Sequence, residues 1–321
     1  MTIRETTNTI IKYIKNSATV YVTGHKDLDL DALGAMVGVS LLADHYKKES
    51  YLIIDESTHE AGVKKALGKL EGMKIVKTDE IDAIDGDDLL IITDTNKKYL
   101  LQNEKLVDMF TNVMIIDHHD EDENTIKSDC NLILNGVSST CELLTLVMKE
   151  KDLYPLDFYA TLLLSGIVLD TNNFSLKTNY HTYEAAYYLT KNGADNNEVQ
   201  YLLKQNLKKY VAREKMLYDI KTISSKFAIS IGGRRDKYRR EDLAKIADTL
   251  LQFENIEASF VIAFLGKGRV GISARSMGNV DVGEVMNFLD GGGNKTVAAT
   301  VIESNNLKDV YKELTKILRN L

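Results

Sequence analysis

The stretch TGHKDLDLDALGA (23–35) places an imidazole and several carboxylates where a predicted strand ends and a predicted helix begins. It follows the apolar run ATVYV and leads into a second apolar run, LGAMVGVSLLA. It contains His25, Asp27, Asp29 and Asp31. A solvated acidic loop is one interpretation of this stretch, and a site for a hard metal ion is another. The rest of the sequence helps to distinguish them.

Length and composition indicate a globular protein. The chain has 321 residues, which is enough for two domains, and 44% of them are hydrophobic and 27% charged. The formal net charge of -7 argues against broad binding to duplex nucleic acid. We therefore interpret the basic cluster GGRRDKYRRED (232–242) as a solvated loop and helix start.

The two cysteines and the hydropathy pattern indicate a reducing compartment. Cys130 and Cys141 do not have the spacing of metal ligands, so we interpret them as reduced packing residues. No apolar run reaches the roughly 18 to 20 residues that span a bilayer. The N-terminal residues have helical rather than signal-peptide character. We expect a soluble, cytoplasmic chain.

The first part of the chain alternates short β-like runs with amphipathic helical stretches. The strand candidates are 18–23, 50–55, 73–77, 88–94, 111–117 and 131–135. The helical patterns between them lie near 31–47, 59–70, 97–109 and 139–151. This alternation predicts a mostly parallel sheet with helices on its faces. A further helix should begin at Pro155, because proline suits a first helical turn.

The second part of the chain predicts a smaller α/β domain. The pattern is helical and charged over about 196–223, which we interpret as a connector. Strand and helix patterns then alternate to the end of the chain. The fold class is therefore α/β, with a larger N-terminal domain, a smaller C-terminal domain and a boundary between about 190 and 225.

Four motifs with acidic side chains each follow the end of an apolar run. They are His25-x-x-x-Asp29-x-Asp31, then Asp94, then Asp117-His118-His119, and finally Asp170. In an open parallel sheet, ligands bind beyond the carboxyl ends of the strands. Each acid alone would more often be a helix N-cap, a turn residue or a solvated acid. Four motifs of these types at predicted element ends favour one shared site.

Crowding these acids together would be costly without cations, because like charges repel and raise carboxyl pKa values. Mixed carboxylate and imidazole ligands suit Mn²⁺, and oxygen-rich sites also bind Mg²⁺. Two ions about 3.5–4 Å apart can activate a water and clamp a phosphoryl group. We hypothesise that Asp94 bridges two ions. The other ligands divide into His25 and Asp29 on one ion, and Asp31, His118 and Asp170 on the other.

These motifs resemble those of the DHH phosphoesterase superfamily, which includes RecJ exonucleases, nanoRNases and cyclic-dinucleotide phosphodiesterases. GHKDLDLDALGA resembles the first motif of the family, and TDT, DHH and LLSGIVLDTNNF resemble the next three. The segment GISARSMGNVDVGEVMNFLDGGGNKTVAAT resembles the DHH-associated C-terminal domain. The resemblance covers nearly the whole chain.

Within the superfamily, the chain resembles the catalytic region of GdpP-type cyclic-di-AMP phosphodiesterases, notably over 170–195 and 256–264. The resemblance implies a DHH catalytic domain (1–192), a helical connector (193–223) and a DHH-associated substrate-binding domain (224–321), with the active site in the cleft between the domains. In full-length GdpP proteins this region follows membrane helices. The chain would then be either a freestanding homologue or the cytoplasmic part of a membrane-anchored protein.

The resemblance also implies roles for individual residues. The six proposed ligands would hold two Mn²⁺, Mg²⁺ or other divalent ions, with Asp94, His118 and His119 as the catalytic residues. The implied substrate contacts are Ser138, Ser139, Arg275, Ser276, Gly291, Gly292, Gly293 and Asn294. Arginine makes forked, charge-assisted bonds to phosphate, and successive glycines let backbone N–H groups approach an anion.

One residue departs from the pattern of the family. Asn294 stands where the family has the histidine of its GGGH element. Asparagine can donate a hydrogen bond but cannot carry a charge at neutral pH. The departure affects the expected substrate choice and leaves the metal ligands unchanged.

Three functions remain open at this point. The first is hydrolysis of cyclic di-AMP to linear pApA by a dimetal phosphodiesterase. The second is the same chemistry on short oligoribonucleotides or on 3′-phosphoadenosine 5′-phosphate, as in nanoRNases. The third is a noncatalytic nucleotide sensor, which Asn294 favours and the complete set of metal ligands disfavours. The partner would be a cyclic dinucleotide or short nucleotide, and assembly as a homodimer remains open.

Overall fold

A computed structural model describes residues 2–55, 59–233, 238–266 and 268–320. Residues 234–237 of the basic cluster lie outside the described residues. The chain divides into two units, Met1–Lys204 and Gln205–Leu321. The point of division lies within the segment whose sequence predicts a connector. In the described part of the chain, no helix has both the length and the apolar character needed to cross a bilayer.

A six-stranded parallel sheet organises the first unit. Its strands are β1 (Thr19–Thr23), β2 (Glu49–Ile53), β3 (Ile75–Val76), β4 (Leu89–Thr93), β5 (Asn112–Asp117) and β6 (Cys130–Ile133). They lie in the order β3-β2-β1-β4-β5-β6, and all neighbouring pairs are parallel. The strand order reverses between β1 and β4, and ligands bind beyond the carboxyl ends of the strands at such a point.

Eight helices accompany this sheet within the described part of the first unit. They are α1 (Ile3–Asn16), α2 (Leu30–His45), α3 (Ala61–Leu67), α4 (Leu106–Met109), α5 (Thr140–Glu150), α6 (Asp157–Asp170), α7 (Tyr180–Lys191) and α8 (Asn196–Leu202). Helices α2 and α6 are apolar on nearly all sides, because both are buried in the core. Gly34 of α2 lets both α5 and α6 approach closely, since a Cβ there would lie 2.6 Å from Cys141 Sγ of α5 and 3.3 Å from the Leu162 carbonyl oxygen of α6.

Two predicted helices of this unit differ from the observed ones. The pattern over 97–109 forms only a 3₁₀ turn, Lys98–Leu100, and the short α4. Asn103 interrupts the helix because its side chain accepts a hydrogen bond from the Lys105 N–H and stabilises a turn. The helix expected at Pro155 begins two residues later, at Asp157.

A mixed six-stranded sheet organises the second unit. Its strands are β7 (Ile220–Ile223), β8 (Phe227–Ile231), β9 (Ala258–Gly266), β10 (Arg269–Ser276), β11 (Gly292–Gly293) and β12 (Val297–Glu303). They lie in the order β11-β12-β10-β9-β8-β7, and β8 and β9 form the parallel pair in an otherwise antiparallel sheet. The helical pattern expected up to Ile223 is therefore wrong at β7.

Helices cover both faces of this second sheet. The helices in the described part of this unit are α9 (Leu207–Glu214), α10 (Arg240–Leu250), α11 (Val282–Asn287) and α12 (Leu307–Leu318), and a 3₁₀ turn, Lys215–Tyr218, lies between α9 and β7. Phe260 on β9 packs in the core that contains Leu314 of α12, and the next residue, Val261, packs in the core that contains Ile246 of α10. The α/β class, with a larger parallel-sheet domain and a smaller C-terminal domain, is confirmed.

Candidate metal centre

All six residues whose sequence pattern predicts metal ligands lie at one end of the first unit. Three of them follow β1, Asp94 follows β4, His118 follows β5, and Asp170 is the last residue of α6. The carboxyl ends of adjacent parallel strands meet at the same edge of a sheet. The fold therefore brings together side chains that are far apart in the sequence.

Three groups of these side chains have potential ligand atoms within 4.8 Å of one another. The groups are His25 with Asp29 and Asp94, Asp94 with His118 and His119, and Asp31 with His118 and Asp170. Asp94 and His118 each belong to two groups. Asp94 links the first group to the second, and His118 links the second group to the third.

His25 is oriented by the backbone beside it. Its Nδ1 lies 2.7 Å from the Lys26 carbonyl oxygen, which can only accept, so Nδ1 carries a proton. Its Nε2 then faces Asp94 Oδ2 at 3.5 Å and Asp29 Oδ1 at 3.8 Å. A neutral imidazole would aim a lone pair at two carboxylates. A cation, either a proton or a metal ion, is needed between these atoms.

Asp94 presents its two oxygens to two different histidines. Oδ2 faces His25, while Oδ1 lies 3.4 Å from His118 Nε2. The side chain is 3% exposed. The backbone has φ 59°, a left-handed conformation that is uncommon for residues other than glycine and is often found at functional sites. This conformation turns the carboxylate at the end of β4 toward both histidines.

Asp31 is fully buried against the N-terminus of α5. Its Oδ2 accepts a hydrogen bond of 2.8 Å from the Thr140 N–H, and its Oδ1 accepts one of 2.9 Å from the Cys141 N–H. The orphan N–H groups and the positive end of the helix dipole favour a carboxylate here. The nearby Asp29 is the N-cap of α2 and accepts from the Asp31 and Ala32 N–H groups, both at 2.9 Å.

His118 lies between two carboxylates but makes no hydrogen bond through Nε2 among the described residues. This nitrogen is buried, 3.2 Å from Asp170 Oδ2 and 3.4 Å from Asp94 Oδ1. A buried polar atom without a hydrogen-bond partner is costly. Coordination of a metal ion by Nε2 would satisfy it, so the observed geometry fits a bound cation.

Asp117 orients the other histidine of the DHH sequence. Its Oδ1 accepts hydrogen bonds from the backbone N–H groups of His118 and His119, at 2.8 and 3.2 Å, and lies 2.8 Å from His119 Nδ1. Asp117 is fully buried, whereas the His119 side chain is 54% exposed. His119 is therefore held by a rigid carboxylate and remains accessible to a small molecule.

The electrostatics of the cluster are those of a cation site. Burial disfavours charge on His25, but attraction to the carboxylates of Asp29 and Asp94 outweighs burial and raises the pKa of His25 to about 12. Burial also opposes charge on His118, and the carboxylates of Asp170 and Asp94 still raise its pKa. Burial and the neighbouring acids Asp94 and Asp170 raise the pKa of Asp31. The neighbouring carboxylates thus favour positive charge on His25 and His118.

Ser138 and Ser139 lie beside this cluster but have other hydrogen-bond partners. Ser139 is the N-cap of α5 and accepts a bond of 3.0 Å from the Glu142 N–H. The Ser138 hydroxyl donates to Glu142 Oε2. Both serines are fully buried. Their side chains stabilise the start of α5, and their predicted contact with substrate remains a prediction.

Arg275 and Ser276 lie near the end of β10 in the second unit. Arg275 Nε pairs with Asp248 Oδ1 at 2.8 Å, and its Nη1 donates to Ser273 Oγ and the Ala274 carbonyl oxygen. The Ser276 hydroxyl is within hydrogen-bond distance of the Val280 carbonyl oxygen, in the loop that follows β10, and of the Lys295 carbonyl oxygen, in the turn before β12. These contacts fix the orientation of both side chains within the unit.

The glycine run includes strand β11, and Asn294 begins the tight turn between β11 and β12. A Cβ on Gly293 would overlap Val297 and Ala298, and a Cβ on Gly291 would lie 2.5 Å from Thr300 Cβ. The Asn294 Oδ1 accepts hydrogen bonds from the backbone N–H groups of residues 296 and 297. Asn294 thus has a structural role in the turn that its sequence position alone does not reveal.

The sequence pattern did not identify Thr140, whose hydroxyl donates to Asp94 Oδ1 at 2.9 Å. The serine that precedes it and the glutamate three positions after that serine form the S-x-x-E pattern of a helix start. Such a pattern can place the N-terminus of a helix, and a helix N-terminus attracts anions. It gave no indication of which aspartates the helix would meet.

Comparisons with known proteins identify two domains in the chain. Residues 19–167 match the DHH family, N-terminal domain, and residues 220–320 match the DHHA1 domain. The cyclic-di-AMP phosphodiesterase PdeA of Listeria monocytogenes is 33% identical over 94% of this chain and 47% of its own length. GdpP of Geobacillus thermodenitrificans, also a cyclic-di-AMP phosphodiesterase, is 34% identical over 96% of this chain and 48% of its own length.

The chain thus spans about half the length of these curated relatives. Among solved structures, an exopolyphosphatase-related protein from Bacteroides fragilis superposes with a TM-score of 0.82 at 17% identity, covering 99% of this chain and 96% of that one. That likeness shows a common fold. The matched domains and the similarity to both phosphodiesterases over most of the chain lead to one conclusion: the chain belongs to the DHH family, with a DHH domain followed by a DHHA1 domain.

Proposed function

We propose that this chain is a phosphodiesterase that depends on two divalent cations and hydrolyses cyclic di-AMP to linear pApA. The observation that carries the proposal is the convergence of three carboxylate and histidine groups that share Asp94 and His118. The choice of substrate is supported by the two relatives from Listeria and Geobacillus, which are cyclic-di-AMP phosphodiesterases and align with 94% and 96% of this chain.

The ligand types favour Mn²⁺ among the common divalent ions. Hard carboxylate oxygens combined with imidazole nitrogens suit Mn²⁺, whereas Mg²⁺ prefers oxygen alone. His25 and Asp29 would bind one ion, Asp31, His118 and Asp170 would bind the other, and Asp94 would bind both. When bound, the pair of cations supplies a nucleophile from water at neutral pH and opposes the negative charge that develops on phosphoryl oxygens.

The surrounding residues of the chain would orient the reacting groups. Asp117 keeps a proton on His119 Nδ1, which leaves Nε2 to contact a phosphate oxygen. Burial disfavours charge on His119, but the bond to Asp117 raises its pKa, so the ring carries positive charge more readily than an isolated histidine. This charge would attract the phosphodiester to the cluster.

The second unit would supply further contacts with the substrate. We propose that Arg275, Ser276, the glycines 291–293 and Asn294 bind a phosphate of the dinucleotide, as their resemblance to the family implies. A guanidinium has five N–H donors. The bonds to Asp248, Ser273 and Ala274 use Nε and Nη1, so the fixed guanidinium still has the capacity to bind an anion.

The test is direct. Purified protein is incubated with Mn²⁺ and cyclic di-AMP, and the products are separated by chromatography, with pApA as the expected product. Parallel reactions with pApA, 3′-phosphoadenosine 5′-phosphate and short oligoribonucleotides compare kcat/KM. Faster turnover of these linear substrates would identify an oligonucleotide-degrading enzyme instead. Tight binding of cyclic di-AMP without cleavage by metal-loaded protein would indicate a sensor.

A further inference from the structure

Thr140, the first residue of α5, contacts two of the candidate ligands at once. Its hydroxyl donates a hydrogen bond of 2.9 Å to Asp94 Oδ1, and its backbone N–H donates one of 2.8 Å to Asp31 Oδ2. The two aspartates lie 46 and 109 positions away in the sequence. Thr140 is fully buried, so bulk water does not reach its hydroxyl to take its place.

The hydroxyl bond determines the orientation of the Asp94 carboxylate. Rotation of a carboxylate about its last bond has only broad minima, so hydrogen bonds must hold it in one plane. The Thr140 hydroxyl donates to Asp94 Oδ1, the oxygen that faces His118. The other oxygen, Oδ2, then faces His25. A hydroxyl that holds one oxygen thereby sets the direction of the other.

The backbone of α6 packs closely against Asp31 at the N-terminus of α5. A Cβ at Gly166 would lie 2.8 Å from Asp31 Oδ1 and 2.6 Å from Cys141 Sγ. The Cys141 N–H completes the contact with Oδ1 at 2.9 Å. Asp31 is therefore confined between α5 and α6, and small displacements of the α5 N-terminus would move its carboxylate.

We propose that Thr140 is a positioning residue that holds Asp94 and Asp31 in the orientation required to bind two divalent cations. The inference rests on the proposed metal-dependent function. Groups that orient metal ligands through hydrogen bonds typically change metal affinity by about 10–100-fold when removed. Thr140 orients Asp94, which belongs to two of the three groups. Loss of the Thr140 hydroxyl should therefore weaken the binding of both cations.

The experiment compares Mn²⁺ binding to three variants by titration calorimetry. Thr140→Val removes the hydroxyl and keeps the backbone N–H, and we expect the affinity for Mn²⁺ to fall by about 10–100-fold. Thr140→Ser retains the hydroxyl and should restore most of the affinity. Thr145→Val is the matched control, because Thr145 is also fully buried on α5 but donates to the Cys141 carbonyl oxygen. It should leave the affinity unchanged.

Circular dichroism establishes that each variant is folded before titration. If valine prevents folding, Thr140→Ala removes the same hydroxyl with a smaller side chain and gives the same comparison. Wild-type affinity in a folded variant that lacks the hydroxyl would overturn the inference, and so would an equal loss in Thr145→Val. In either case cleavage of cyclic di-AMP by the wild type would still support the proposed function. A wild-type protein that binds no Mn²⁺ would overturn both.

Discussion

The aspartate at position 94 connects the two halves of the candidate metal centre. Its two oxygens face His25 and His118 at 3.5 and 3.4 Å, and its side chain is almost fully buried. No other carboxylate among the candidate ligands faces histidines on both sides within the described residues. The catalytic consequences of losing this side chain should therefore exceed those of losing a ligand to one ion.

We expect Asp94→Ala to lower kcat/KM for cyclic di-AMP by more than about 100-fold, because losing only the partner of a ligand already costs about 10–100-fold. The metal content of the purified variant should fall in parallel, and both are measured on the same preparation. Asp88→Ala is the control, since Asp88 is 4% exposed and accepts from the Thr19 N–H at the opposite end of β4. Near-normal turnover by metal-loaded Asp94→Ala would refute the bridging assignment.

The glycine run separates structural from ligand-binding requirements at single residues. Gly293 has φ 149° and no space for a Cβ, whereas a Cβ on Gly292 would have nothing nearer than Asn287 Oδ1 at 4.0 Å. Gly293→Ala should lower the free energy of unfolding by about 1–3 kcal/mol, and Gly292→Ala should change it by less than about 0.5 kcal/mol. Urea denaturation measures both changes.

If phosphate approaches the backbone at this turn, Gly292→Ala should nevertheless raise KM for cyclic di-AMP, because a methyl group would stand between the backbone and the anion. Unchanged KM in a stable Gly292→Ala protein would remove Gly292 from the set of substrate contacts. The two glycines thus act as controls for each other in stability and in binding.

At the scale of single residues, chemical type was readable from the sequence but contact partners were not. The acids and imidazoles stood out because they follow apolar runs, and parallel strands bring such positions to one edge. The hydroxyl of Thr140 gave no such signal, since its partner Asp94 lies 46 positions away. The sequence position of Asn294 likewise indicates a substrate contact. The hydrogen bonds that its Oδ1 accepts from the N–H groups of residues 296 and 297 depend on the conformation of the turn, which the sequence does not reveal.

At the scale of elements, α5 links helix stability to the geometry of the metal centre. Ser139 caps the helix by accepting from the Glu142 N–H, and the first N–H groups of the same helix hold Asp31. A cap fixes the position of the first turn, and fraying of that turn would release the Asp31 carboxylate. The stability of α5 should therefore influence metal binding.

We expect Ser139→Ala to lower the free energy of unfolding by about 1 kcal/mol, the usual effect of losing an N-cap. It should also weaken Mn²⁺ binding, because the α5 N-terminus becomes less ordered. Asn306→Ala removes the N-cap of α12 in the second unit, where the side chain accepts from the Lys308 N–H at 3.1 Å. It should cost similar stability and leave Mn²⁺ affinity unchanged. Equal Mn²⁺ affinities in both variants would contradict the proposed link.

Secondary structure was predicted correctly where the local sequence pattern determines it, and incorrectly where pairing with another strand or a side-chain hydrogen bond determines it. The strand candidates 18–23 and 111–117 agree with β1 and β5 to within one residue, because short continuous apolar runs are typical of buried strands. The strand β7 was missed because its four residues follow a charged helical pattern and become a strand by pairing with β8. In 97–109 the turn at Asn103 prevented the helix that periodicity indicated.

At the scale of the whole molecule, the first unit brings a set of ionisable side chains together in one cluster. Four candidate acids and two candidate histidines meet beyond the ends of β1, β4 and β5. Raised histidine pKa values mean that protons stabilise this cluster in the metal-free protein. That contribution is fully present below the unfolded histidine value of 6.5 and is lost as the pH rises toward the folded value, about 12 for His25.

Divalent cations and protons should therefore compete for the same carboxylates and imidazoles. Between pH 6.5 and 8, His25 holds its proton in the metal-free protein, so binding of Mn²⁺ must displace it. We expect proton release on binding and an apparent Mn²⁺ affinity that rises about tenfold per pH unit for each proton released. Titration calorimetry in two buffers of equal pH and different ionisation enthalpy counts the protons.

Removal of the metal should consequently destabilise the first unit most at higher pH. A ligand present at 100 times its Kd stabilises the folded state by about 2.7 kcal/mol, and tighter binding at higher pH increases this contribution. Meanwhile the stabilisation by protons declines over the same interval. We expect a chelator to lower Tm more at pH 8 than at pH 6.5, with faster hydrogen exchange in β1, β4 and α5 and unchanged exchange in β9 and β10. A chelator effect that is independent of pH, or that appears equally in both units, would show that these carboxylates and histidines do not hold the ions.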